Sequence, residues 1–172
     1  GLAVAYRTDL FKKAGLPTKR DKVAALWPTW DRFITVGKQF QNKVPGVGFM
    51  DSTGTLFAAV LNQGTEKYYN SKTRAAIYRT NPNVKKAFDI AAKAGCTFTK
   101  NGKCAGSIGT KINQFSPDWG AAMNKGAFAA VLAPAWMLDY IKQQAPKTSG
   151  KWDIAAVPGG GGNLGGSMLT IP

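Results

Sequence analysis

Side chains able to do covalent or acid–base chemistry are scarce in this chain. Its 172 residues include no His, two Cys and nine carboxylates, among which Glu66 is the one Glu. Without His there is no His-based triad, no His-ligated zinc and no imidazole base. Cys96 and Cys104 are too few for a four-Cys zinc site. No catalytic residue, metal site or cofactor is therefore assigned. The groups that remain suit binding better than bond breaking. Trp136 offers a flat ring at the start of a helix, and Asp51 opens a polar loop. Asp118 and Trp119 occupy a first helical turn. A glycine-rich loop, 159–166, carries Asn163, Gly165 and Gly166. That loop leads into Ser167-Met168-Leu169, a strand pattern, and lacks the G-x-x-x-x-G-K-[ST] or G-x-G-x-x-G order that would cradle a phosphate at a helix start.

These groups need elements to hold them, and composition bounds what those can be. At 44% hydrophobic and 19% charged, with 20 Gly and 9 Pro, the chain is globular in character. One domain is expected, burying roughly 70% of its unfolded surface. No apolar run reaches the ~20 residues of a membrane-spanning helix. The balance of 23 Lys and Arg against 9 Asp and Glu gives +14, which by itself suggests an anionic partner. The cations are scattered singly or in pairs (Lys12–Lys13, Lys19–Arg20, Lys85–Lys86), and no nucleic-acid-reading aromatic motif lies between them. A solvated basic surface is the expectation, with a basic nucleic-acid-binding domain as the rival.

Strand and helix signals alternate along the chain. Gly1–Tyr6 reads as a strand without the features of a signal peptide, and Met168–Pro172 reads as another. Both are expected to be strands shared with a longer protein. Thr8 is expected to cap a short helix ending at Gly15, and Thr29 a second with Trp30, Phe33, Ile34 and Phe40 inward. A strand follows at Val47–Met50, then the polar loop Asp51–Gly54 and a buried helix through Leu56–Leu61. Tyr68–Tyr69 and Ala75–Arg79 form a small hairpin in this reading. Asn81-Pro82 opens a helix with Val84, Ala87, Phe88 and Ala91 on one face. Residues 96–114 are irregular. Ser116-Pro117 opens the helix carrying Trp119, Ala122 and Met123. Phe128–Leu132 is a central strand covered on both faces, Pro134 starts a helix with Trp136, Met137, Tyr140 and Ile141 inward, and Trp152–Val157 is the last strand before the glycine loop. Trp27, Trp30 and Trp152 read as structural.

Such alternation argues for an α/β layer structure, whose ligands sit beyond the carboxyl ends of the strands. Three loops leave strands in that sense: Asp51–Gly54, Ala133–Trp136 and Pro158–Gly166. They define a candidate site.

The order Tyr6-Arg7-Thr8-Asp9-Leu10-Phe11-Lys12-Lys13-Ala14-Gly15-Leu16, Thr29-Trp30-Asp31-Arg32-Phe33, Met123–Val131, Ala133-Pro134-Ala135-Trp136-Met137-Leu138 and Val157-Pro158-Gly159-Gly160 … Gly165–Ile171 covers nearly the whole chain. It resembles the extracellular solute-binding proteins of bacterial ABC sugar importers, the maltose-binding-protein-like group. That resemblance implies a periplasmic-binding-protein-like (type II) α/β fold, in which residues 1–172 make up most of one lobe, a mixed sheet flanked by helices. Residues 1–6 and 167–172 would be the hinge-type strands. It also implies a sugar or oligosaccharide ligand in a cleft between lobes, a membrane permease as partner, a monomer, and an extracytoplasmic location, secreted or lipid-anchored. No enzyme activity is implied. Glycoside hydrolysis in particular needs two carboxyl groups ~5–10 Å apart, and near the proposed cleft only Asp51 and Asp118 are available.

Within the resemblance each candidate keeps two readings. Trp136 matches the aromatic of a Gly-Pro-Trp-like motif that stacks on a sugar ring, although Ala133 and Ala135 flank Pro134 in place of the usual Gly; otherwise it is a core residue. Asp51 either accepts sugar hydroxyls or caps a turn. Asp118 is also explained by the helix dipole and Trp119 by packing. Asn163, Gly165 and Gly166 form either a cleft edge that touches sugar or a solvent loop; Leu164 stands where relatives carry an aromatic. Cys96 and Cys104 are expected to form a disulfide in a secreted protein, because Asn101-Gly102 favours a reversal between them. A lectin-like surface module without a transporter is the second rival.

Overall fold

The computed structural model describes residues 1–96, 101–102, 104, 106–166 and 171. Four strands form one mixed sheet: β1 (Leu2–Arg7), β2 (Gly48–Met50), β3 (Phe128–Pro134) and β4 (Trp152–Ala156), in the order β2-β3-β1-β4. β1 runs antiparallel to both neighbours, with Leu2 opposite Pro134 and Ala3 opposite Ala156, whereas β2 is parallel to β3. The carboxyl ends of β2, β3 and β4 therefore share one edge of the sheet.

Alternation along the strands divides the interior in two. Val4, Tyr6, Ala130 and Leu132 face a large cluster with α1 (Thr8–Lys13), α2 (Arg20–Leu26), α3 (Trp30–Lys43), α4 (Thr53–Leu61) and α5 (Pro82–Gly95). Ala5, Val131 and Ala133 face a smaller one with α6 (Pro117–Lys125) and α7 (Ala135–Gln144). All of β3 is buried, as a strand covered on both faces must be. The larger cluster is aromatic: Tyr6, Phe11, Trp27, Phe33, Phe40 and Phe49 are fully buried with edge or tilted contacts, the arrangement that ring quadrupoles favour. Trp30 is buried there too, and Trp152 packs against the smaller cluster.

Side-chain caps explain three of the helix starts, those of α3, α4 and α5. Thr29 accepts from the Arg32 amide at 3.3 Å, Ser52 from Gly54 at 3.2 Å and Asn81 from Asn83 at 2.9 Å, each satisfying an orphan N–H. Three local expectations are corrected. Thr8 lies inside α1, and its hydroxyl donates outward to the Lys151 carbonyl. Ser116 precedes α6 without a side-chain cap bond. Phe88 is 65% exposed, because the buried stripe of α5 runs through Ala87 and Ala94 instead. The segment between α4 and α5 contains one antiparallel bridge, Tyr69 with Ala76, where a hairpin was expected. Cys96 and Cys104 are joined in a disulfide with Cα atoms 5.3 Å apart. Of the expected hinge strands, residues 2–6 lie in β1; residues 167–170 and 172 are outside the described residues.

Candidate functional site

One of the three loops at the shared sheet edge, Ala133–Trp136, brings aromatic rings together with the segment leading into α6. β3 ends at Pro134, and α7 begins at once, which puts Trp136 in its first turn, 49% exposed. Met137 and Ile141 take the buried side of that helix, and Trp136, expected on that side with them, is turned out to solvent instead. Phe115, half exposed, lies nearly parallel to Trp136, with ring centroids 6.0 Å apart and planes 15° from each other. Behind this pair, Trp119 is buried and stacks on Tyr140 at 5.9 Å and 21°. Phe115 contacts both, at 5.4 and 5.3 Å. The result is a four-ring cluster whose front pair faces solvent.

Sequence reasoning missed Phe115. Its signal was a single large aromatic in a stretch of Gly, Lys, Ser and Thr, just ahead of Ser116-Pro117. Its backbone adds another sign, with φ at +65°. A bulky residue seldom occupies that region, and such strain gathers at binding sites.

Asp51 follows β2 at the same edge but does not reach the surface: its exposure is 0%. Oδ1 accepts from the Ser52 amide at 2.8 Å, and Oδ2 accepts from the Trp119 indole N–H at 3.1 Å. Burial pushes its carboxyl up to about 6, against the opposing pull of the Ser52 amide, Gln114 and Trp119. The main chain of Asp51 also organises its surroundings. Its carbonyl accepts from the Thr110 amide at 3.0 Å, the Thr110 hydroxyl at 2.9 Å and the Ile112 amide at 3.2 Å. Asp118, one residue before Trp119, is exposed.

The glycine loop is pinned at one end and open at the other. The Gln63 amide donates to the Pro158 and Gly160 carbonyls, both at 2.7 Å, and accepts from the Trp30 indole at 2.8 Å. The Gly159 amide donates to Pro28 at 3.2 Å, and its φ of +74° is one glycine tolerates. Asn163, Gly165 and Gly166 are exposed. Leu164 meets the aromatic cluster through its carbonyl, which accepts from the Trp136 indole at 3.4 Å.

The structure thus gathers Trp136, Trp119, Asp51 and the glycine loop at one edge, with Phe115 added and Asp51 placed underneath. Stacking surface, carbonyls and exposed amides can hold a ligand with apolar faces and hydroxyls. Among the described residues no cluster of three or more metal-ligating side chains occurs. Fold and site define an α/β ligand-binding unit of the periplasmic-binding-protein type. The model of the bacterial extracellular solute-binding protein family matches residues 1–172, and the chain belongs to that family. Its members bind solutes for transport and are not enzymes. A lactose-binding protein of Rhizobium radiobacter is 30% identical over 175 residues, which is 96% of this chain and 38% of that protein. A crystal structure of an extracellular solute-binding protein family 1 member is 34% identical, with a TM-score of 0.81, and is matched over 95% of this chain and 39% of its own. A binding protein of B. animalis subsp. lactis Bl-04, solved with β-1,6-galactobiose, shares the fold at 21% identity and a TM-score of 0.70 over 91% of this chain and 36% of its own. The chain therefore spans about two fifths of the length of these relatives.

Proposed function

We propose that residues 1–172 form most of one lobe of a carbohydrate-binding protein of an ABC importer, with Trp136 and Phe115 as its half of the sugar platform. The observation that carries this reading is the exposed, nearly parallel ring pair at the carboxyl edge of the sheet, in a chain of this family. A sugar's C–H face stacks on such rings while its hydroxyls meet the carbonyls and amides around Asn163, Gly165 and Gly166. Asp118 stands near enough in sequence to the Phe115–Trp119 segment to accept a further hydroxyl. Trp119 and Asp51 support the platform from behind. The opposite wall of the cleft belongs to a second lobe, and closure about the strands joining the lobes buries the ligand. The closed, monomeric protein, secreted or lipid-anchored outside the membrane, then delivers the sugar to a permease.

A binding protein for lactose and a neighbour holding β-1,6-galactobiose support a galactose-containing disaccharide as the first ligand to test. Calorimetry on the full-length protein with lactose and β-1,6-galactobiose should show saturable 1:1 binding that changes little between 50 and 500 mM salt. A basic nucleic-acid-binding domain would instead bind an oligonucleotide with affinity falling steeply as salt rises; that result, with no sugar bound, would overturn the proposal.

A further inference from the structure

Asp51 was singled out as a carboxylate for sugar hydroxyls, yet its position shields it from any ligand on the platform. What it touches is the platform itself. Resting on the sugar-binding reading above, we propose that Asp51 is a positioning residue, which fixes the Trp119 indole and the segment carrying Phe115 and so sets the plane of the exposed ring pair. Three sets of contacts converge on it. Its Oδ2 takes the Trp119 indole N–H at 3.1 Å, and Trp119 in turn contacts Phe115 and Tyr140. Its carbonyl takes the Thr110 amide and hydroxyl and the Ile112 amide, which tethers the chain just ahead of Phe115. The next residue, Ser52, donates from its hydroxyl to Asn113 Oδ1 at 3.2 Å, two positions before Phe115.

The acceptor count makes the carboxylate irreplaceable by its closest isostere. Two N–H donors, from Ser52 and Trp119, point at two separate oxygens. An Asn at position 51 has one oxygen and one NH₂, so one of those donors must face another donor. A buried donor left without its acceptor is costly, and the simplest relief is a rotation of the Trp119 ring. Burying a carboxylate whose protonated form the fold favours is a sacrifice of stability at neutral pH. Costs of that kind concentrate where a site must be held in one geometry. The groups facing Asp51 do not themselves titrate near neutrality: the amide of Ser52, which caps α4, and the Thr55 hydroxyl in its first turn; from the 110–114 segment, Thr110, Ile112 and Gln114; from α6, the Trp119 indole. The ionisable side chains on those elements, Lys111, Asp118 and Lys125, are exposed.

The test compares wild type, Asp51→Asn, Trp119→Phe and the double variant in the full-length protein, with lactose as the probe. Trp119→Phe keeps a ring in place and removes only the N–H side of the bond. Each single variant should weaken lactose binding three- to tenfold through the sugar's dissociation rate, and the double variant should be no weaker than Asp51→Asn alone, since both changes cut one link. In wild type the Trp119 indole N–H resonance, identified by its loss in Trp119→Phe, should shift with a midpoint near pH 6, and that titration should vanish in Asp51→Asn. Additive losses in the double variant, or an indole resonance that ignores both pH and Asp51→Asn, would overturn the proposal. Should Asp51→Asn not fold, Trp119→Phe with unchanged affinity would do so. Failure of the wild-type protein to bind lactose would count against the lactose reading, and the indole titration would still decide the role of Asp51.

Discussion

Two aromatic clusters of this molecule use the same residue types to opposite ends. Between α1, α3 and the sheet, Phe11, Trp27, Phe33, Phe40 and Phe49 are sealed from water. At the carboxyl edge of the strands, Trp119 is equally buried, but Phe115 and Trp136 leave half of their surface in solvent. The first cluster forms because each ring removes a large apolar area from water. The second keeps two rings exposed on a backbone strained at Phe115 and over a buried carboxylate. Stability alone explains the first cluster and does not explain the second.

Substitutions should separate the two. The largest effect is expected at Phe33, which touches Trp27, Trp30 and Phe49. Phe33→Ala should lower the unfolding free energy by ~3–5 kcal/mol, read by chemical denaturation, while any sugar affinity of the protein that still folds is unchanged. A loss under ~1 kcal/mol would show that this cluster is not the main core.

The next effect is one of pH. Burial raises the Asp51 carboxyl from its ordinary value to about 6, so the folded state holds its proton more tightly than the unfolded chain does. Its contribution is therefore complete below an unfolded pKa of about 3.9 and is lost as pH rises through 6, by roughly 3 kcal/mol in all. Wild-type protein should lose more stability than Asp51→Asn between pH 4 and pH 7, a difference that cancels the other carboxylates. Parallel profiles would mean that Asp51 titrates normally.

Trp136→Ala should weaken sugar binding by about 1–3 kcal/mol, tenfold to more than a hundredfold, with much less change in stability than Phe33→Ala. Phe115→Ala is the smallest of the series, ~0.5–1.5 kcal/mol of affinity, the scale of one aromatic pair contact. If both changes cost stability and spared affinity, the second cluster would be core like the first.

Much of this was legible before any coordinates. Pro and Gly punctuation marked Asn81-Pro82 and the stop at Gly15, and the apolar run Phe128–Leu132 marked the covered strand, because these signals are local. The layering that places three loops at one edge followed from the alternation of elements. The depth of Asp51 was not legible, since a polar loop gives no sign that a Trp 68 positions away will cover its first residue. Phe88 misled for the converse reason: helical spacing identifies a face, but tertiary packing chose Ala87 and Ala94. Helix α2 offered a weak pattern, with Val23 as its one buried residue.

The five Trp side chains allow the central claim to be tested in one titration. Indole N–H resonances of the full-length protein, followed as lactose or β-1,6-galactobiose is added, report each ring separately. The account predicts a large, saturable shift at Trp136, a smaller one at Trp119 behind it, and none at the buried Trp27 and Trp30. Saturable sugar binding that leaves the Trp136 resonance in place would contradict it.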